Sequence, residues 1–384
     1  MKPRVAIVRG PNLNRWEMQC YLPLHEEYEI TAFTSKGHNF PLDEIPLKVV
    51  KLFSLGQFLR SRALRNVMSR RVGDYHDLRG LEDRLAGFNL VHSAETAYYC
   101  SFQAAKGKKK HGFKLVVTVW ENIPFAVHHA PTAEMKSVIN QEADAFIAVS
   151  GRTKEVLLLE GAPEEKITVL MPGIDLDHFH PGRKSEILLA KFGCAERDRI
   201  VLYVANLYWE KGIFDLLVAF RRAWDHMGRP ADVKLLIAGK GKEHDEVERW
   251  IDLLKIGNQT RLIGSHPYSV MPEIHRLADL FVLPSIPTRT WQEQFGYVLV
   301  ESMATGTPVI STRSGSIPEV LGDAGILVEP NDFLGLAQGM EELLSSSPTR
   351  SRLGTLARKR AESKFNLRDV AQSLSALYQK VLRS

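Results

Sequence analysis

Short runs of β-branched and aliphatic residues recur along the whole chain, each bounded by glycine or polar residues and followed by a helical stretch. Val5-Ala6-Ile7-Val8, residues 115–119 and residues 146–149 do this in the first half; residues 201–204, 235–238 and 281–283 do it in the second, with Pro308-Val309-Ile310 a shorter case. Unbroken apolar runs of this length suit strands of a parallel sheet that is buried on both faces. Strands alternating with helices predict an α/β chain with doubly wound sheets. The runs fall into two series, and 384 residues are too many for one ordinary core. Two Rossmann-like domains facing a central cleft are therefore expected.

The predicted seam is residues 171–183 (MPGIDLDHFHPGR), which carry two Pro-Gly dipeptides and no helical period. It separates a first domain, residues 1–178, from a second, residues 183–365. Beyond it, residues 184–192 are predicted to open the second domain as a helix. Val370, Leu374, Leu377 and Val381 recur three or four apart in the tail, so residues 366–384 should form an amphipathic helix able to pack back on the first domain. Three widely spaced cysteines without a CxxC pair give no disulfide framework or zinc site and suit a reducing compartment. The N-terminus shows no signal-peptide pattern, and no run of about 18 apolar residues is long enough to span a bilayer. The expected location is the cytoplasm. A net charge of +5 over this length does not argue for a nucleic-acid partner.

Residues 293–301 (EQFGYVLVE) concentrate the chemistry. Glu293 and Glu301 stand eight apart, with Phe295-Gly296 at a predicted loop-to-helix junction. A helix starting there points its first N–H groups, and the positive end of its dipole, at any anion placed before it. Glycine allows the backbone to approach without a Cβ in the way. Glu293 then precedes the helix, and Glu301 sits in its second turn. Taken alone, the pair could equally be two solvent-facing glutamates on an ordinary helix.

The surroundings sharpen this reading. In order, the chain carries Lys211-Gly212, Ala238-Gly239-Lys240-Gly241, residues 261–264, residues 278–285 (ADLFVLPS), the stretch above, residues 302–310 (SMATGTPVI) and residues 314–320 (SGSIPEV). This series resembles the retaining glycosyltransferases of family 4, which have the two-domain GT-B fold. The resemblance is strongest over residues 200–330, traceable over 150–181 and faint before 145. It implies that Glu293 contacts the donor sugar, Glu301 the ribose, and the backbone at Phe295, Gly296, Tyr297 and Val298 the sugar hydroxyls and distal phosphate. It also implies that Lys211 neutralises the diphosphate leaving group, that Gly264, Ser265 and His266 lie near the nucleobase, and that Gly239 lies near base or ribose. The family usually has an arginine five residues before that lysine. Asn206 stands there instead, so a charge is missing that Arg313 or Arg289 would have to replace.

In the first domain the family often places a histidine after the strand matching residues 116–119. Here the sequence reads Trp120-Glu121-Asn122, which makes Trp120 a candidate sugar-stacking surface and Glu121 a candidate catalytic residue. The loop after the first strand, with Gly10, Asn12 and Asn14, is the candidate acceptor site. The expected activity is retaining transfer of a hexose-type unit from a nucleoside-diphosphate sugar to a saccharide or lipid-linked glycan in polysaccharide or cell-envelope synthesis. The donor is a co-substrate, with no obligatory cofactor or metal. The alternatives are a nucleotide-sugar epimerase, a sugar-phosphate-using synthase, or a non-catalytic nucleotide-sugar-binding protein.

Several signals point elsewhere on weaker grounds. Asp175 and Asp177 match a metal-binding DxD but lie in the seam and are read as structural; His128-His129, His178 and His180 lack a ligand set. Basic residues spaced among apolar ones over 51–71, and Lys106, Lys108, Lys109 and Lys110, describe a face able to rest on an anionic membrane surface as a peripheral contact.

Overall fold

Every strand of a doubly wound sheet must satisfy two apolar environments at once, and the first strands do so residue by residue. In a computed structural model describing residues 2–58, 76–127 and 129–384, the chain divides into two units, Met1–Gly173 with Leu367–Ser384, and Ile174–Asn366. The first unit contains β1 (Arg4–Gly10), β2 (Glu29–Ser35), β3 (Lys48–Leu52), β4 (Leu90–Ala94), β5 (Lys114–Val119), β6 (Ala145–Ala148) and β7 (Ile167–Val169). Its sheet runs β3-β2-β1-β4-β5-β6-β7, with parallel neighbours throughout. Val5, Ile7, Val116, Ala145 and Ile147 enter one buried cluster; Ala6, Val8, Leu115, Val117, Phe146 and Ala148 enter the other. Side chains alternate across a strand, so an unbroken apolar run fits only where both faces are covered.

The helix Leu367–Arg383 closes the first unit. Its Ala371, Leu374, Leu377, Tyr378 and Val381 belong to the same cluster as Val5 and Ile7. A buried polar contact fixes it there. His92 of β4 meets the Tyr378 hydroxyl through Nδ1 at 2.6 Å and the Thr118 hydroxyl through Nε2 at 2.6 Å. Burial holds this imidazole down at about 3, which keeps it neutral.

The second unit contains β8 (Arg199–Val204), β9 (Val233–Ala238), β10 (Thr260–Gly264), β11 (Leu280–Leu283), β12 (Val309–Thr312) and β13 (Ile326–Val328). Its parallel sheet runs β10-β9-β8-β11-β12-β13. In both sheets the order reverses beside the first strand, at β1/β4 and at β8/β11. Doubly wound sheets bind ligands beyond the carboxyl ends of their strands at such a switch. The helix expected at the start of this unit is Glu186–Lys191, capped by Ser185.

The units part at Gly173/Ile174, which lies within residues 171–183 and five residues before the expected end of the first domain at 178. The Gly173 carbonyl accepts the Cys20 thiol, and a Cβ on Gly173 would lie 2.9 Å from the Leu367 backbone. Ile174 instead donates its N–H to the Phe365 carbonyl at 2.7 Å and bridges Asn366. The Asp175 carboxylate accepts the backbone N–H groups of Asp177 and His178, the structural role expected of the DxD.

Most of the basic segment 51–71, and His128, lie outside the described residues. The lysine cluster is neutralised: Lys106, Lys108, Lys109 and Lys110 each face a carboxylate, on Glu82, Asp144, Glu142 and Asp83. Among the described residues no helix is long and apolar enough to cross a membrane.

Tyr378→Phe should remove one of the two 2.6 Å contacts of the His92 ring and lower unfolding stability by about 1–3 kcal/mol, as expected for a buried group deprived of a hydrogen bond. Urea unfolding checks this, and an unchanged midpoint would show that the His92–Tyr378 contact does not hold the helix.

Candidate functional site

The second unit's expected residues come together along the carboxyl edge of its sheet. Beyond β8 lie Asn206 and a short turn, Trp209–Lys211, followed by the helix Ile213–His226. Beyond β11 lies a loop ending at Glu293, and Gly296 then caps the helix Tyr297–Ala304. Lys211 Nζ is 2.7 Å from Glu293 Oε2. The Ser285 hydroxyl donates to that same oxygen at 2.9 Å. The Lys211 ammonium also lies 4.6 Å from the centroid of the Trp291 ring, a cation–π contact of about 0.5–2 kcal/mol. Glu293 is only 7 % exposed, so its charge is tolerated because lysine and serine compensate it together.

The backbone is shaped around this pair. Gly315 lies so close to the Glu293 carbonyl that a Cβ would stand 2.0 Å from its oxygen. The next N–H, from Ser316, donates to the same carbonyl at 2.9 Å. Residues 314–316, beyond β12, thus brace Glu293 from behind. The 288–291 turn, which carries Trp291 to the lysine, is closed by the Trp291 N–H donating to the Thr288 hydroxyl at 2.9 Å. Gly296 has φ 83°, in the left-handed region, and no side chain caps the helix it starts. Phe295 is buried between the Tyr297 and Phe365 rings, which fixes the turn that presents Tyr297 and Val298.

Glu301, one turn further on, is 3 % exposed and has Oε2 3.2 Å from His275 Nε2. Gly239 and Gly264 terminate adjacent strands and are joined by a 2.9 Å bond from the Gly239 N–H to the Gly264 carbonyl. Ser265 is exposed beside them, and the His266 ring meets the Ile263 carbonyl at 2.9 Å. Asn206 is exposed at the end of β8. Both arginines considered as its replacement are exposed: Arg313 pairs with Glu329 at 3.1 Å, and Arg289 lies on the loop after β11.

In the first unit, the expected residues also lie at strand ends. Gly10 ends β1 with φ 54°. Asn12 donates to the Tyr98 hydroxyl at 3.4 Å and accepts from Asn39 at 2.8 Å. Asn14 is the cap of the helix Arg15–Met18; it accepts the Glu17 N–H and donates to Glu17 Oε1 and the Asn12 carbonyl. The Glu121 carboxylate accepts the N–H groups of Asn122 and Ile123. Asn14 and Glu121 therefore shape their own loops.

Sequence reasoning missed Arg9 and Glu95, and gave Glu17, the last residue of the candidate acceptor loop 10–17, no role of its own. Arg9 pairs with Glu17, and its Nε is buried without a hydrogen-bond partner among the described residues. Glu95 follows β4 with φ 65° and accepts the Trp120 N–H at 2.9 Å. Burial pushes its carboxyl up to about 7. A left-handed, buried glutamate leaves no sequence signature, because its partners stand 25 residues downstream.

Two family models match. The model described as Glycosyl transferases group 1 covers residues 184–360, and Glycosyltransferase Family 4 covers residues 24–178. The chain belongs to this family of glycosyltransferases, and its two sheets are those of the GT-B fold. It is 30% identical to an N-acetyl-alpha-D-glucosaminyl L-malate synthase of Bacillus anthracis over 249 residues, 63% of this chain and 61% of that one. It is 28% identical to a D-inositol 3-phosphate glycosyltransferase of Corynebacterium diphtheriae over 293 residues, 69% and 66% of the two chains. The matched region thus spans under two thirds of those relatives. The crystal structure of Anabaena HepE in complex with UDP and glucose shares the fold over 99% of this chain and 100% of its own, with TM-score 0.77 at 16% identity.

Glu95 titrates higher in the folded chain than the ordinary 4.5, so the fold binds its proton more tightly than the unfolded chain does. Its stabilising contribution is complete below 4.5 and is lost as pH rises through about 7. Glu95→Gln should therefore gain stability relative to wild type between pH 5 and pH 8, read as the difference in melting temperature across that range. A difference independent of pH would place the proton elsewhere.

Proposed function

We propose that the protein transfers a hexose-type sugar from a nucleoside-diphosphate donor, UDP-linked in the first instance, to a hydroxyl of a saccharide or lipid-linked glycan with net retention. The observation that carries this reading is the Lys211–Glu293 pair, a 2.7 Å contact at the mouth of an uncapped helix in the second unit. In the reaction the bond from the anomeric carbon to the phosphate oxygen breaks, and the departing diphosphate takes the electron pair. A lysine and the first amides of a helix are the groups that stabilise such an anion as it forms. Glu293 offers its carboxylate to the sugar hydroxyls, and Glu301 to the ribose. The UDP in the Anabaena HepE structure supports a uridine donor.

Asn206 leaves one charge fewer on the leaving group than the family ordinarily supplies, so Lys211 carries a larger share. Together with the helix amides, this lysine is proposed to stabilise the leaving group without an obligatory metal. In the first unit, Gly10, Asn12 and Trp120 form the acceptor surface, while Asn14 and Glu121 hold the loops that bear them. Where the acceptor belongs to a cell-envelope glycan, the basic segment 51–71 provides contact with an anionic membrane.

A transfer assay with UDP-hexoses and a panel of glycan acceptors tests this function. Acceptor-dependent release of UDP is expected, and Lys211→Ala should lower kcat/KM by about 10²- to 10³-fold, the cost of removing one group aimed at developing charge. Isomerised donor without acceptor would mark an epimerase. Tight donor binding without turnover on any acceptor would mark a binding protein.

A further inference from the structure

Glu301 is held by a partner that lies outside the family motif. The helix Met271–Arg276 leads into β11 and carries His275 on its buried side. His275 is wholly buried, with Nε2 3.2 Å from Glu301 Oε2. Its ring lies against Phe281 at 5.5 Å and Phe179 at 6.0 Å between centroids. Nδ1 is buried and has no hydrogen-bond partner among the described residues.

These contacts fix where the ring's proton sits. A proton on Nδ1 would bury an N–H donor without an acceptor, which is costly, whereas a proton on Nε2 faces a carboxylate. The ring therefore donates to Glu301 and leaves a bare nitrogen among aromatic rings. One carboxylate oxygen is occupied and the side chain is held in one orientation, so the other oxygen is the one available to a ligand. A carboxylate fixed before binding loses less freedom on meeting a vicinal diol than a mobile one does.

Resting on the reading of Glu301 as the ribose contact, we propose that His275 is a positioning residue. It holds the second motif glutamate so that its remaining oxygen meets the 2′- and 3′-hydroxyls of the donor's ribose, and in doing so it sets the preference for ribonucleotides over 2′-deoxyribonucleotides. His275 itself touches no substrate. A merely structural buried histidine would support both kinds of nucleotide alike.

Calorimetric titration of UDP and 2′-deoxy-UDP into the full chain separates these roles. Wild type should favour UDP by about tenfold, the worth of one hydrogen bond to a charged group. Glu301→Ala should bring that ratio close to one. His275→Phe, which keeps a ring but has no donor, should cut the ratio to about twofold while binding 2′-deoxy-UDP nearly as wild type does. His275→Gln, which can still donate to Glu301, should restore most of it. His275→Leu serves the same purpose as the phenylalanine variant should that one fail to fold.

Full ribose preference in a folded donor-free variant would overturn the role of His275 while leaving that of Glu301 intact, provided Glu301→Ala loses the preference. Equal weakening of UDP and 2′-deoxy-UDP would also overturn it, because the histidine would then be serving only the core. An unchanged ratio in Glu301→Ala would instead remove the reading of Glu301, and the inference with it.

Discussion

The second unit is organised around one ion pair, Lys211 with Glu293, and much of the surrounding backbone is explained by what that pair needs. A carboxylate this buried is unstable unless its charge is answered locally. Lys211 and the Ser285 hydroxyl answer it at the same oxygen. The remaining constraints are steric. Gly212, directly after the lysine, lets the turn press against the end of β11, since a Cβ there would stand 1.8 Å from the Pro284 carbonyl. Gly315 does the same behind Glu293. On the proposed function, an incoming diphosphate has to compete with, or share, a lysine that is already engaged.

The first unit is built to a different logic. Its sheet is closed by a helix from the far end of the chain, and the contact that fixes that helix joins residues 286 apart. At its carboxyl edge the polar groups mainly satisfy one another: Arg9 with Glu17, Asn14 with Glu17, Glu95 with the Trp120 backbone. Such an edge presents shaped loops and a few outward groups, which suits recognition of a polyhydroxylated partner better than neutralisation of a strong anion. The groups proposed to meet a strong anion, Lys211 and the helix beginning at Tyr297, are in the second unit.

What could be read from the amino acids follows from where the partners lie. β1, β5, β6, β8, β9, β11 and β12 are legible because both faces are buried and the runs are unbroken. β4 is not, because His92 and Ser93 interrupt it, and their partners are Tyr378, Thr118 and Ser101. β2 is broken by Thr31 and Thr34, both buried. The motif residues Lys211, Glu293, Gly296 and Glu301 were visible through their order along the chain. Ser285 was visible only as the end of the 278–285 motif, with no role, and Trp291 and His275 not at all, although each touches one of them, because contacts formed across strand ends have no fixed spacing. Asn14 and Glu121 show the converse: polar residues in promising loops whose side chains serve the loops themselves.

Calorimetric binding of UDP, GDP and ADP to wild type and to Glu293→Gln and Lys211→Ala tests the ion pair most directly. If the pair is the donor site, one nucleoside diphosphate binds, and Lys211→Ala weakens it by about 1–3 kcal/mol, the worth of a hydrogen bond to a charged group. Glu293→Gln, which releases the lysine, should not weaken the bare diphosphate and should act only on the sugar-bearing donor. Unchanged diphosphate affinity in Lys211→Ala would contradict the assignment and leave the ion pair a structural device.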